Sequence, residues 1–303
     1  MSAMRLSRSL QKLSRRAVFS AIALAALASL ALSGRSVQAQ PEVGRTKVRL
    51  YVIDCGSMHA KDKSRWSPGV DEGVGVGVDL SDRCYLIKHP KGTLLWNTGL
   101  NDAISKNPDG EEGAGGALHV WVKKHLADQL KQAGVEPKDI TYITFSHLHP
   151  DHAGNANLFT NSTLIMQEEE YDAAFGADPT KFRFNPLFYG KLKANPVIKL
   201  KGDLDLLGDG SVQILRAPGH TPGHQCLYVN LPRQGPLLLS GDLWHWATQR
   251  EFKRVPSFNF DRDLTLASME RIENFVKQHG AKVWIEHDAQ QNASIDLVPD
   301  YYE

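Results

Sequence analysis

Ser146-His147-Leu148-His149-Pro150-Asp151-His152-Ala153-Gly154-Asn155 packs three histidines and one aspartate into the pattern H-x-H-x-D-H. The run before it, Ile140-Thr141-Tyr142-Ile143-Thr144-Phe145, is β-branched and aromatic and reads as a buried strand. The cluster therefore falls on a loop just past a strand end, where a rigid scaffold presents side chains to a cleft. Imidazole and carboxylate together are the ligand set of zinc and its borderline neighbours. His147 and His149 are two residues apart, so in an extended segment they point the same way and can grip one ion. Asp151 and His152 are adjacent and would diverge on an extended backbone. A turn after Pro150 brings both to a second ion, and Gly154 keeps that turn compact. Four ligands do not complete two coordination spheres, so the rest must come from downstream.

Three later segments supply them. Ala217-Pro218-Gly219-His220-Thr221-Pro222-Gly223-His224 follows the strand-like Val212-Gln213-Ile214-Leu215. Leu237-Leu238-Leu239-Ser240-Gly241-Asp242 is an apolar strand ending in Gly-Asp, and Lys282-Val283-Trp284-Ile285-Glu286-His287-Asp288 is another ending in His-Asp. Each puts a ligand-type side chain just past the C-terminal end of a strand, so one edge of the sheet structure is predicted to be the active site.

This order of motifs resembles the metallo-β-lactamase superfamily across nearly the whole chain after its N-terminal segment. The resemblance implies that His147, His149 and His220 hold a first metal and that Asp151, His152 and His287 hold a second. Asp242 would bridge the two, and His224 would stand behind the ligands. Within the superfamily the chain looks most like the N-acyl homoserine lactone hydrolase branch, on Leu50-Tyr51-Val52-Ile53-Asp54-Cys55-Gly56, Cys84-Tyr85-Leu86-Ile87 and Leu94-Leu95-Trp96-Asn97-Thr98-Gly99. Two positions depart from that branch. It often carries a tyrosine three residues after the bridging aspartate, where this chain has His245. The Asp-Thr-Gly common after an early strand is here Asn97-Thr98-Gly99, a change expected to affect only a charge behind the ligands. A catalytic role is expected for Asp151 and Asp242 as proton shuttles. His245 is expected either to donate to the carbonyl oxygen or leaving alkoxide, or to be structural.

The rest of the pattern fits an α/β chain. Arg83 to Gly99 reads as two strands. Leu118, Trp121, Val122, Leu126 and Leu130 fall at helical spacing with Gly134 as the stop, and Leu266, Met269, Ile272, Phe275 and Val276 mark a second helix ended by Gly280. Each has a polar opposite face and so packs one stripe on a sheet. Two sheet-plus-helix halves packed sheet on sheet, a four-layer αβ/βα sandwich, follow from this order and from the resemblance. The glycine-rich stretch Gly69 to Gly77 lacks the strand-turn-helix context and the Gly-Lys-Ser/Thr of a nucleotide loop, and it and Asn107 to Gly116 read as loops. Phe182, Phe184, Phe188 and Tyr189 suit either an apolar acyl channel or an interface patch.

Residues 1–39 hold Arg5, Arg8, Lys12, Arg15, Arg16 and Arg35, no acid, an apolar stretch from Ala17 to Leu32, and Val37-Gln38-Ala39. That order reads as a secretory signal peptide, with residues 40–303 as one hydrolase domain. Ser14-Arg15-Arg16-Ala17-Val18-Phe19 resembles a twin-arginine signal. The apolar core is short of the ~20 residues a membrane span needs, so an uncleaved anchor is the lesser reading. The expected destination is the periplasm or the medium, with no stable membrane association after cleavage. The net charge of the whole chain is +1. Removing those six basic residues from the 35 Lys and Arg leaves 29 against 34 Asp and Glu, about −5. A mildly acidic surface argues against nucleic acid as a partner and leaves a small-molecule substrate. Cys55, Cys84 and Cys226 are too few and too odd in number for a disulfide scaffold. They read as buried thiols, with a Cys55–Cys84 bridge as the alternative if their strands are neighbours.

The expected chemistry is hydrolysis. Two divalent cations, zinc or another transition metal, would lower the pKa of a shared water until hydroxide exists near neutral pH. No serine or cysteine nucleophile is required, in keeping with the lack of a G-x-S-x-G elbow. Lactone opening leads, with ester, thioester, β-lactam and phosphodiester cleavage behind it. An iron-dependent redox role and a non-catalytic metal-binding role are weaker alternatives.

Overall fold

The computed structural model describes residues 47–70 and 73–303. The predicted signal segment, residues 1–39, lies outside them. In the first described strand, Arg49–Ala60 (β1), side chains alternate between two apolar environments: Leu50 and Val52 face one core, Tyr51 and Ile53 another. A strand buried on both faces must lie in a middle layer. The strands that follow are Val78–His89 (β2), Gly92–Trp96 (β3), Glu111–Gly113 (β4), Leu118–Trp121 (β5), Tyr142–Thr144 (β6), Thr163–Gln167 (β7) and Val197–Leu200 (β8). They form one sheet in the order β4-β5-β1-β2-β3-β6-β7-β8. Leu204–Asp205 (β9), Val212–Arg216 (β10), Gln225–Leu231 (β11), Gly235–Leu239 (β12) and Lys282–Trp284 (β13) form a second, in the order β13-β12-β11-β10-β9.

The two sheets meet through Leu50, Val52, Tyr85, Ile87, Leu94 and Trp96 on one side and Ile214, Leu227, Val229, Leu237 and Leu239 on the other. The far face of the first sheet carries the helices Leu126–Gln132 and Glu168–Phe175, whose Leu126, Leu130 and Ala174 pack on Ile53, Leu86 and Leu95. The far face of the second carries Arg262–His279, through Met269, Ile272 and Val276 against Leu215, Tyr228 and Leu238. That helix starts where the Asp261 side chain accepts from Leu264 N–H and stops at Gly280, whose φ of 61° suits glycine. The layers are therefore αβ/βα, as the sequence pattern predicts. Each fully buried leucine or isoleucine contributes roughly 1.5–3 kcal/mol, so the inter-sheet layer locks together the two edges that carry the site.

Two local expectations change. The helix expected from Leu118 begins only at Leu126, and Leu118–Trp121 is strand β5, paired with β1. Leu118, Val120 and Val122 recur every second residue and pack with Met58. That period of two, with two β-branched residues, outweighs the helical spacing of Leu118, Trp121 and Val122. The polar stretch Asn107 to Gly116 is not all loop, because Glu111–Gly113 pairs with β5 as an edge strand. Of the two readings for the cysteines, the bridge is found: Cys55 and Cys84, on neighbouring strands β1 and β2, are disulfide-bonded with Cα atoms 5.9 Å apart. Cys226 is free and buried.

Candidate metal centre

Four strand ends converge at one edge of the sandwich. The loop after β6 brings His147, His149, Asp151 and His152; the link between β10 and β11 brings His220; Asp242 follows β12 and His287 follows β13. All seven expected ligands meet there. The turn after Pro150 is a short helix, Pro150–Ala153, which swings Asp151 and His152 to one side. Gly154 is required because the segment Gly99–Asn101 crosses directly over it, where a Cβ would collide with backbone. Gly241, at φ 51°, lies against Ser146 and His224, where a Cβ would also collide.

The geometry separates into two halves. In the first, His147 Nε2 lies 2.8 Å from His149 Nδ1, and His220 Nε2 lies 3.1 Å from the same atom. In the second, the ligand atoms of Asp151, His152 and His287 lie within 4.8 Å of one another. Asp242 stands between: Oδ2 is 3.2 Å from His220 Nε2, while Oδ1 is 3.2 Å from His152 Nε2 and 3.1 Å from His287 Nε2. Oδ1 is buried yet makes no hydrogen bond. Ring nitrogens from several histidines and both oxygens of one carboxylate thus converge on the same space, as ligands around cations do. The donor set and its two halves fit a pair of divalent metals.

Electrostatics follow from burial. Burial pushes His147 and His220 well below the usual histidine range and His149 down to about 4, leaving neutral rings with free lone pairs. In the other half burial opposes charge on His152, but Asp242, Glu286 and Asp151 outweigh it and hold its pKa well up. For His287, burial is likewise overcome by Asp242, and the pKa rises to about 10. This half is a strongly negative pocket that attracts a cation, so metal binding there displaces protons.

Four of the expected ligand rings are held from behind. His149 Nε2 donates to Phe182 O at 3.1 Å, His220 Nδ1 to Asn259 Oδ1 at 2.9 Å and His287 Nδ1 to Ser81 O at 2.7 Å. His152 Nδ1 lies 3.3 Å from Glu286 Oε1. His224 stands behind the ligands, as the resemblance implies: Nδ1 donates to Ala217 O, and Nε2 accepts from Asp242 N–H. His245 is buried in the same cluster, with Nε2 3.1 Å from Asp242 Oδ2.

Two carboxylates escaped the sequence reading. Glu170 accepts from Leu148 N–H at 3.1 Å and Gly223 N–H at 2.9 Å, tying the two loops that supply the first half. It sits in Glu168-Glu169-Glu170, which reads as a solvated face, and only the tertiary fold buries it. Glu286 is fully buried, and both its oxygens accept from Asn97 Nδ2, at 2.9 and 2.8 Å. Its signal was its place beside His287 at a strand end.

A cavity of about 540 Å³ opens over the cluster, reaching His149, Asp151, His220, Asp242, His245 and His287. Apolar wall comes from Met58, Trp66, Leu100, Val120, Phe188 and Phe258, and Arg65 and Arg183 also line it. Of the four aromatic residues left open by the sequence, Phe188 faces the cavity, while Phe184 and Tyr189 are core and the Phe182 carbonyl braces His149.

An αβ/βα sandwich that gathers histidines and carboxylates at one edge in groups able to hold metal defines a class of metal-dependent hydrolases. The chain belongs to the metallo-β-lactamase superfamily, whose sequence pattern matches residues 78–276. It is 31% identical over 274 residues to the N-acyl homoserine lactonase AttM of Azorhizobium caulinodans, covering 85% of this chain and 100% of that protein. It is 32% identical over 267 residues to the N-acyl homoserine lactonase AiiA of Bacillus thuringiensis subsp. kurstaki, covering 84% and 99%. A solved N-acyl homoserine lactone hydrolase, with the product N-hexanoyl-L-homoserine at its catalytic metal centre, matches at a TM-score of 0.73 and 30% identity over 85% of this chain and 100% of that one.

Proposed function

We propose that the protein opens the ring of N-acyl homoserine lactones with two zinc ions. His147, His149 and His220 would hold one, Asp151, His152 and His287 the other, with Asp242 bridging. The observation that carries this reading is the division of Asp242, with Oδ2 toward His220 and Oδ1 toward His152 and His287. The relatives named above support the substrate.

Two bound cations supply the acidity that makes a water nucleophilic near neutral pH and polarises the lactone carbonyl. The chain's residues do the rest. The apolar wall of Trp66, Leu100, Val120 and Phe258 suits an acyl chain and excludes water from the reacting ester. Asp151 is the cluster carboxylate that keeps exposure to the cavity, with its side chain 22% exposed against 5% for Asp242. It is therefore the group able to pass a proton to the departing alkoxide. The test is a panel of lactone, simple ester, thioester, β-lactam and phosphodiester substrates followed by base uptake or product chromatography. Ring opening of N-acyl homoserine lactones is expected to give the highest kcat/KM, and a phosphodiester or thioester leading the panel would contradict the reading.

Export to the periplasm or medium is part of the same proposal. Its support is the basic, apolar and small-residue order of residues 1–39, together with the Cys55–Cys84 disulfide, which persists in oxidising compartments. Mass spectrometry of the exported protein is expected to find a chain starting near Gln40, and intact Met1 on that material would contradict it.

A further inference from the structure

His245 differs in chemistry from the tyrosine that the lactonase branch often carries at this position, and its hydrogen bonds fix what it can do. Gln249 Nε2 donates to Trp66 O at 2.6 Å, so the amide oxygen of Gln249 is the end that faces His245. That oxygen already accepts from His245 N–H at 2.8 Å and lies 3.1 Å from His245 Nδ1. The amide oxygen can only accept, so Nδ1 carries the proton. Nε2, the nitrogen that Gln249 does not hold, points at Asp242 Oδ2, 3.1 Å away, where one metal ion could bind both.

The same arrangement marks the expected ligands. His149, His220 and His287 each bond one ring nitrogen to an amide or carbonyl oxygen and turn the other into the cluster. Such an outer hydrogen bond fixes the tautomer of a metal-bound histidine. His245 repeats the pattern with Gln249. His224 breaks it, because its second nitrogen is already spent on Asp242 N–H. The ligand atoms of His220, Asp242 and His245 also lie within 4.8 Å of one another, as a shared ion requires. Trp66 and Phe258 pack edge-on to the His245 ring at 6.2 and 6.1 Å and hold it in place.

We propose that His245 is a metal ligand, contributing Nε2 to the cation shared by His220 and Asp242. This rests on the reading of the cluster as a two-metal centre. It replaces the expected donation from a neutral His245 to the lactone carbonyl, because the one proton of that ring is held by Gln249. It also gives this chain one more imidazole at the centre than a tyrosine at the same position would.

The test compares the wild-type protein with His245→Gln and Gln249→Leu, each loaded with cobalt(II) and checked for folding by circular dichroism. In His245→Gln, cobalt affinity at one of the two sites is expected to fall at least tenfold, with a changed visible ligand-field spectrum and the other site unaltered. Gln249→Leu, which frees the ring tautomer, is expected to move the same site by a smaller factor. Cadmium-113 NMR of unmutated protein labelled with nitrogen-15 histidine provides a readout independent of mutant folding. It is expected to find cadmium coupling to His245 as well as to His147, His149, His152, His220 and His287. Unchanged cobalt affinity and spectrum in His245→Gln, or cadmium coupling to those five and not to His245, would overturn the proposal while leaving the two-metal reading standing. Failure to bind either metal at all would overturn both.

Discussion

The backbone N–H of Asp242 donates to Nε2 of His224 at 3.0 Å. Nδ1 of the same ring donates to Ala217 O at 3.0 Å, so His224 ties Asp242 to the loop that carries His220. Burial holds the His224 pKa down to about 4, which keeps Nε2 an acceptor across the physiological range. His224→Ala is expected to leave two buried backbone groups without partners and to let Asp242 drift. Metal affinity should fall by roughly 10–100-fold, the usual cost of losing a group that orients a ligand. Chelator competition on folded protein checks this, and unchanged affinity would remove His224 from the account.

Glu170 ties the same half of the site from the other side, through Leu148 N–H and Gly223 N–H. Glu170→Ala is expected to destabilise the fold by about 1–3 kcal/mol for each buried donor it strands, measured by urea unfolding. The pH dependence has a definite sign. Burial raises the Glu170 carboxyl to about 7 in the folded protein, so the native state holds this proton more tightly than the unfolded chain does. Its contribution is complete below the ordinary glutamate range and is lost as pH rises toward about 7. Glu170→Gln should flatten stability across that window, and an unchanged slope would contradict it.

Asn97 and Glu286 form a coupled pair behind His152. Asn97 Nδ2 donates to both Glu286 oxygens, its Oδ1 accepts from Ser146 N–H at 2.9 Å, and Glu286 Oε1 faces His152 Nδ1. Glu286 thus sets a buried carboxylate against Asn97, the position where the resemblance has an aspartate. Asn97→Asp alone is expected to destabilise, by setting two buried carboxylates face to face. Glu286→Gln alone should weaken metal binding at the half that contains His152. The double variant Asn97→Asp with Glu286→Gln should recover much of both losses. Thermal melts and metal titration of all four proteins check the coupling, and simple additivity would contradict it.

How much of this was legible in the sequence depended on how local each signal was. The residues that converge at the sheet edge were legible because H-x-H-x-D-H, Gly-His, Gly-Asp and a late His each follow a strand whose apolar run ends abruptly. The layer order was legible because strand and helix periods alternate along the chain. The stretch from Leu118 suits helix and strand alike because two periodicities overlap in a few residues, and pairing with β1 decides between them. Glu170 and Asn259 were invisible for a different reason. They act on loops distant in sequence, and nothing in their own neighbourhood marks them as buried. The disulfide was an open alternative because it depends on β1 and β2 being adjacent, which only the sheet order supplies.

The central claim is that the seven converging ligands hold two metals that open a lactone. The most direct measurement is elemental analysis of the metal-replete protein, paired with a lactone-opening assay on the same sample before and after chelation. About two transition-metal ions per chain are expected, with ring-opening activity that disappears on chelation and returns with added zinc. Asp242→Ala should lose both ions and activity together, because one carboxylate serves both halves. A folded, metal-replete protein with one ion or none, or with two ions and no action on any lactone, would contradict the account.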